Sequence, residues 1–142
     1  MRTITLIQPW ASLIMLQEKR IETRSWSTNY RGEIAIHAGK KIDKKVFDMP
    51  YYCEVLSGYG ITPDNIITSS ILCTCTIIDV VRSEEIRKSL SPKELAFGNY
   101  EDNRFCWVLD NIKEVGPITN VKGMLGFWNY KVEDFVEGSS DK

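Results

Sequence analysis

Apolar and polar positions fall in short runs along this chain, and the runs predict several strands with a few short helices between them. Residues 3–7 form a β-branched stretch and predict a strand. Pro9 suits the first turn of a helix, where its missing N–H would have no partner in any case. Trp10, Leu13 and Ile14 stand at helical spacing, so a short helix over residues 10–16 is expected. Residues 20–26 can extend as a strand, and residues 32–38 alternate well enough to form another. Asp43 can cap a helix beginning at Lys44, which Pro50 would kink or restart. Gly58 and Gly60 end the segment beyond that proline. The clearest strand covers residues 71–81, rich in Ile, Val and Thr. Ser83 followed by Glu84 and Glu85 starts a helix, the acids suiting its positive end. Ser91, Pro92 and Glu94 match a capping box with proline at the first helical position. Residues 105–109 and 126–130 read as late strands.

Helices this few cannot cover a regular parallel sheet. The expected class is α+β: a small, strongly curved mixed β-barrel or sheet with short helices at its ends. No internal repeat, low-complexity segment or Pro/Gly/Ser-rich linker divides the 142 residues, a length that suits one domain. Residues 1–136 are read as that single domain and residues 137–142 as a flexible C-terminal tail. Residues 1–6 lack the long apolar stretch of a signal peptide, and no later run is long enough to span a bilayer. The expected location is therefore cytoplasmic, with no membrane partner.

Charge changes the picture by its distribution. Residues 1–45 hold nine Lys/Arg against four Asp/Glu, whereas residues 46–142 hold nine against fifteen. A basic first third suggests a localised anion-binding face, with ordinary solvated surface as the alternative. Cys53, Cys73, Cys75 and Cys106 form no C-x-x-C pair, and His37 is the single histidine, so neither a metal site nor a cofactor is expected. Cys73 and Cys75 share one strand face, as core packing would place them.

The segment Q-E-K-R-I-E-T-R-S-W from Gln17 carries the densest chemistry. In an extended chain Glu22, Arg24 and Trp26 share one face, with Lys19 just before them. Arg suits a phosphate, Trp a base, and a Lys–Glu pair polar recognition or proton transfer. A surface ion-pair ladder beside an edge strand is the alternative. Trp10 lies near a helix start, where backbone N–H groups can face an anion. Tyr30 and Arg31 sit in a turn before Gly32, and His37, Lys40 and Lys41 come in and after the next strand. Aromatics interleaved with cations are the usual composition of a single-stranded nucleic-acid site. Asp79 falls on the apolar face of its strand with Cys73, Cys75 and Ile77, so either the strand bulges there or Asp79 lines a pocket.

At these residues the chain resembles the activating-signal-cointegrator homology (ASCH) domain family. The matching pieces are Q-P-W-A-S-L-I from Gln8, K-R-I-E-T-R-S-W from Lys19, Y-R-G from Tyr30 and I-H-A from Ile36. F-G-N-Y from Phe97, R-F-C-W-V-L from Arg104 and K-G-M-L-G-F-W from Lys122 resemble its closing strands. Lys19, Glu22 and Arg24 match the family motif G-x-K-x-x-E-x-R, with Gln17 in place of the glycine. The resemblance covers nearly the whole chain, as expected of a stand-alone ASCH domain. It implies a small β-barrel related to the PUA fold, with the motif lining a cleft. It also implies RNA binding, in transcription coactivation, RNA processing or translation.

Three functions are carried forward. The first is a binding module for single-stranded RNA or a nucleotide or nucleoside. Its site would comprise Trp10, Lys19, Glu22, Arg24, Trp26, Tyr30, Arg31, His37 and Lys40. Arg24 and Arg31 would contact phosphate, Trp10, Trp26 or Tyr30 would stack on a base, and Lys19 and Glu22 would bond base or ribose edges. The second is an enzyme, a ribonuclease or an amidohydrolase of a modified nucleoside, with Lys19 and Glu22 as the chemical pair. Relatives that hydrolyse acetylcytidine carry a K-x-x-T-x-R motif. Here Glu22 holds the threonine position, and Thr23 is expected on the opposite strand face. The third is a protein-interaction adaptor using the acidic remainder, Tyr51 and Tyr52.

Overall fold

The computed structural model describes residues 1–131, so the expected tail over residues 137–142 and its boundary at 136 lie outside the described residues. The strands among the described residues are β1 (Arg2–Gln8), β2 (Ile21–Arg24), β3 (Gly32–Ile42), β4 (Ser70–Arg82), β5 (Phe105–Ile118) and β6 (Trp128–Asn129). The short helices there are α1 (Trp10–Met15), α2 (Tyr52–Gly58), α3 (Ser83–Ile86) and α4 (Pro92–Ala96), with 3₁₀ turns at Lys44–Asp48 and Arg87–Ser89. The strands form one mixed sheet in the order β2-β5-β4-β3-β1-β6, in which only β1 and β3 run parallel. The α+β expectation holds, with an open curved sheet where a closed barrel was the limiting case.

Curvature brings the two ends of the sheet together. Trp107 of β5 meets Phe127, just before β6, at 5.4 Å between rings, and Arg24 at the end of β2 donates to the Thr5 carbonyl of β1. The sheet stays open because side chains occupy the free edge of β2. Lys19 Nζ donates to the Ile21 carbonyl and Arg104 to the Thr23 carbonyl, which answers the hazard of an unpaired edge. Inside the curve lies the main core, with Ile4 and Leu6, Ile14, Ile34 and Ile36, Cys73 and Cys75, Trp107 and Leu109. A smaller cluster around Ala35 and Ile71 covers the outer face of β3 and β4, so these central strands are buried on both sides. Cys73 and Cys75 sit in the core as expected, and burial pushes the Cys75 thiol up to about 12.

Several local signals resolve as their chemistry requires. Ser91 Oγ accepts from the Glu94 N–H and caps α4, with Pro92 in its first turn. The Glu94 carboxylate does not close the box; it accepts instead from the Arg20 backbone N–H at 3.2 Å and ties α4 to the start of β2. Asp43 caps a 3₁₀ turn rather than an α-helix, and the chain restarts as α2 after Pro50. β4 bulges between Ile77 and Asp79, which turns Asp79 out to solvent beside Arg31 at 3.8 Å. The late strands differ most. β5 runs nine residues past Leu109 because β4 pairs with it throughout, while the strand expected over residues 126–130 shrinks to β6.

After α1 the chain turns through Gln17 at φ +62°. The Glu18 N–H bonds the Leu13 carbonyl and the Gln17 N–H bonds that of Ile14, the paired bonds of a Schellman cap. The turn that glycine would favour is therefore kept by a glutamine. Gln17→Gly should raise stability by about 0.5–1 kcal/mol, since a non-glycine residue in the left-handed region costs more than glycine's extra entropy. Urea midpoints of the two proteins check this; an unchanged or lower midpoint would refute it.

Candidate functional site

The capped turn delivers Lys19 into the gap between β2 and the chain following α4. The side chain is only 1% exposed. Its ammonium donates to the carbonyls of Ile21 at 2.5 Å and Phe97 at 2.7 Å, and stands 3.8 Å from Glu22 Oε1. Burial pulls the Lys19 pKa below the ordinary lysine value, while the charges of Glu22 and Glu94 resist that shift. Glu22 Oε2 lies 3.3 Å from Arg24 Nε, and Arg24 Nη2 donates to the Thr5 carbonyl. Lys19, Glu22 and Arg24 are thus one chain of alternating charge, running from the buried end of β2 to its open end.

This chain lines a cleft of about 370 Å³ together with Trp10, Thr23, Tyr52, Asn99 and their neighbours. The Trp10 indole N–H donates to the Tyr52 hydroxyl, which donates to the Ala96 carbonyl, so the aromatic wall is held by its polar edges. Thr23 was expected to face away, yet it borders the cleft, its Oγ1 accepting from the Asn99 N–H. An edge strand of four residues leaves both of its sides within reach of the following turn. The start of α1 offers less than expected to an anion, because Gln8 Oε1 accepts the Ser12 N–H and the Pro9 carbonyl takes that of Leu13.

Beyond Arg24 the cleft adjoins a groove of about 890 Å³, the two sharing Thr5, Leu6, Ile7 and Arg24. Lys40, Lys41 and Lys122 line the groove with Arg24, and among the described residues no carboxylate does. His37 lies in its wall. Its Nε2–H donates to the Val121 carbonyl at 2.6 Å, and Nδ1 meets the Thr5 hydroxyl at 3.1 Å. These partners suit a neutral imidazole, and burial lowers the His37 pKa in the same sense.

Trp26, Tyr30 and Arg31 lie elsewhere. β2 ends at Arg24, and the chain then turns so that half-buried Trp26 packs edge-on against Trp107 at 4.8 Å, on the margin of the core. Tyr30 packs against Phe127 and carries the Arg2 guanidinium on its face at 4.4 Å. Arg31 faces Asp79. Trp10, Lys19, Glu22 and Arg24 are brought together, with His37 and Lys40 along the adjoining groove. Sequence reasoning missed Lys122, Met124 and Leu125, which stand on that groove. Their signal was the G-M-L-G segment, whose flanking glycines argue for a loop where a strand was read.

The sequence profile of the ASCH domain matches residues 4–119. The chain belongs to the ASCH domain family. The family is associated with RNA binding. Activating signal cointegrator 1 of Homo sapiens is 27% identical over 128 residues, covering 88% of this chain and 21% of that protein. The Mus musculus protein matches at the same identity and coverage. The chain therefore spans about a fifth of the length of these curated relatives. Among solved structures, the ASCH protein of Zymomonas mobilis superposes with a TM-score of 0.61 at 15% identity, covering 98% of this chain and 93% of that one. A single-residue variant of it gives 0.59 at 13% identity, with 98% and 96% covered. These structures share the curved ASCH fold. Among the described residues, no helix of this ASCH domain is long and apolar enough to cross a membrane.

Proposed function

We propose that this ASCH domain binds single-stranded RNA or a nucleotide through the cleft around Lys19, Glu22 and Arg24. One observation carries the reading: a polar cleft with an aromatic wall opens, at Arg24, onto a groove that among the described residues is lined by four cationic side chains and no carboxylate. Such a surface attracts a phosphate backbone, while the cleft offers Trp10 and the Glu22 carboxylate to a base. Arg24 is held at the junction by Glu22 Oε2, 3.3 Å from its Nε, and by the Thr5 carbonyl, so its guanidinium presents a fixed positive charge where cleft and groove meet. Lys19 is fully engaged with two carbonyls and Glu22, which favours a positioning role over proton transfer. The role this implies is in cytoplasmic RNA metabolism or transcriptional regulation.

The test is fluorescence anisotropy of labelled single-stranded RNA at low and moderate salt, with wild type and Arg24→Ala. Binding should weaken with salt, and Arg24→Ala should weaken it about tenfold or more, as expected for a charged hydrogen bond worth ~1.5 kcal/mol. Absence of binding at low salt would overturn the reading and direct attention to hydrolysis of a small modified nucleoside.

A further inference from the structure

The segment from Val121 to Trp128 is held at both ends. Its start is fixed by the bond from His37 Nε2 to the Val121 carbonyl and by the Val121 N–H on the Ser69 carbonyl. Gly123 lies so close to His37 that an added Cβ would sit 2.8 Å from Nδ1, and it lies closer still to Thr5. At the other end Phe127 packs on Trp26 and Trp107, and the Trp128 indole N–H donates to Thr5 Oγ1. Between these anchors Met124 is 62% exposed and Leu125 98% exposed, both on the cationic groove. An apolar tip on an anchored loop gains nothing from the core, and burial against a ligand would account for it. Lys40, Lys41 and Lys122 are exposed and have no carboxylate partner among the described residues.

The groove is larger than the cleft and carries three cations, Lys40, Lys41 and Lys122, apart from it, whereas a free nucleotide concentrates its charge at one end. We infer, resting on the RNA-binding reading above, that the ligand is a run of linked nucleotides rather than a mononucleotide. One base sits in the Lys19–Glu22–Arg24 cleft, successive phosphates lie along Lys40, Lys41 and Lys122, and Leu125 wedges against a neighbouring base. Apolar wedges between base steps and cationic tracks for the backbone are both known physical means of holding nucleic acid.

The experiment is a length series. Uridine oligonucleotides of one, two, four and six residues compete with a labelled hexanucleotide, and a 2-aminopurine-labelled hexanucleotide reports base unstacking. Affinity should rise at least tenfold from one to four residues. Replacing Lys40, Lys41 and Lys122 by Gln together should reduce the logarithmic salt slope by about two, from roughly 0.7 for each single-strand phosphate released. Lys88→Gln, an exposed lysine outside both grooves, should leave that slope unchanged. Leu125→Ser should weaken hexanucleotide binding about fivefold or more and abolish the rise in 2-aminopurine fluorescence. A mononucleotide that competes as well as the hexanucleotide would overturn this inference and leave the RNA-binding reading intact. So would a triple variant with an unchanged slope, or Leu125→Ser with unchanged affinity and fluorescence. Failure of every nucleotide and oligonucleotide to bind at low salt would overturn both.

Discussion

Lys19→Met should destabilise the domain by about 3 kcal/mol, the lower end of what breaking a buried charge pair costs. The change keeps the length of the side chain and its apolar stem but removes the ammonium. The carbonyls of Ile21 and Phe97 lose their donor, and Glu22, 11% exposed in its side chain, is left with Arg24 alone. Since Lys19 joins β2 to the residue after α4, the loss should loosen the cleft as well as lower the urea midpoint. A second change separates charge from shape. Lys19→Met combined with Glu22→Gln no longer strands a carboxylate, so it should be less destabilised than the two single changes added together. A single variant within 1 kcal/mol of wild type, or strict additivity in the pair, would show that the buried ion pair contributes little.

Trp107→Ala should cost about 4 kcal/mol, in the range for emptying a buried tryptophan site. The indole is fully buried, meets Trp26 edge-on at 4.8 Å and Phe127 at 5.4 Å, and donates to the Trp26 carbonyl at 3.3 Å. It therefore joins β5 to the turn after β2 and to the loop before β6, where the curved sheet brings its ends together. Removing it leaves a cavity and frees one anchor of the loop carrying Leu125. The thermal midpoint should fall by roughly 10–15 °C for a domain of this size, with loss of near-ultraviolet circular dichroism from the tryptophan cluster. A fall of only a degree or two would mean that the cluster does not hold the sheet ends together.

Much of this architecture was legible because it depends on neighbours a few residues apart. The β-branched runs became β1 and β4, the alternating run over residues 32–38 became β3, the spacing of Trp10, Leu13 and Ile14 became α1, and Ser91 caps α4. Lys19, Glu22 and Arg24 were legible as a unit for the same reason, since all three lie within six consecutive residues. The bulge at Asp79 was one of two readings left open, and the pairing of β4 with β5 decided it.

Spacing could not supply which distant segments meet. Nothing in residues 110–118 marks a strand until β4 lies beside them, because their polar side chains face solvent while the backbone completes the ladder. Trp26 and Arg24 would share a face in an ideal strand. β2 stops between them, and the indole gains more from the core against Trp107 than from the cleft. The cationic groove is built from residues near positions 5, 24, 40 and 122, which come together only through the parallel pairing of β1 with β3 and the return of the chain to β6. Periodicity and capping are local interactions, and by itself the sequence determined them together with the polar motif. Register and curvature are set by apolar burial between segments far apart in the chain. Only the tertiary structure decided which cations share a groove, which aromatics belong to the core, and where the motif opens to solvent.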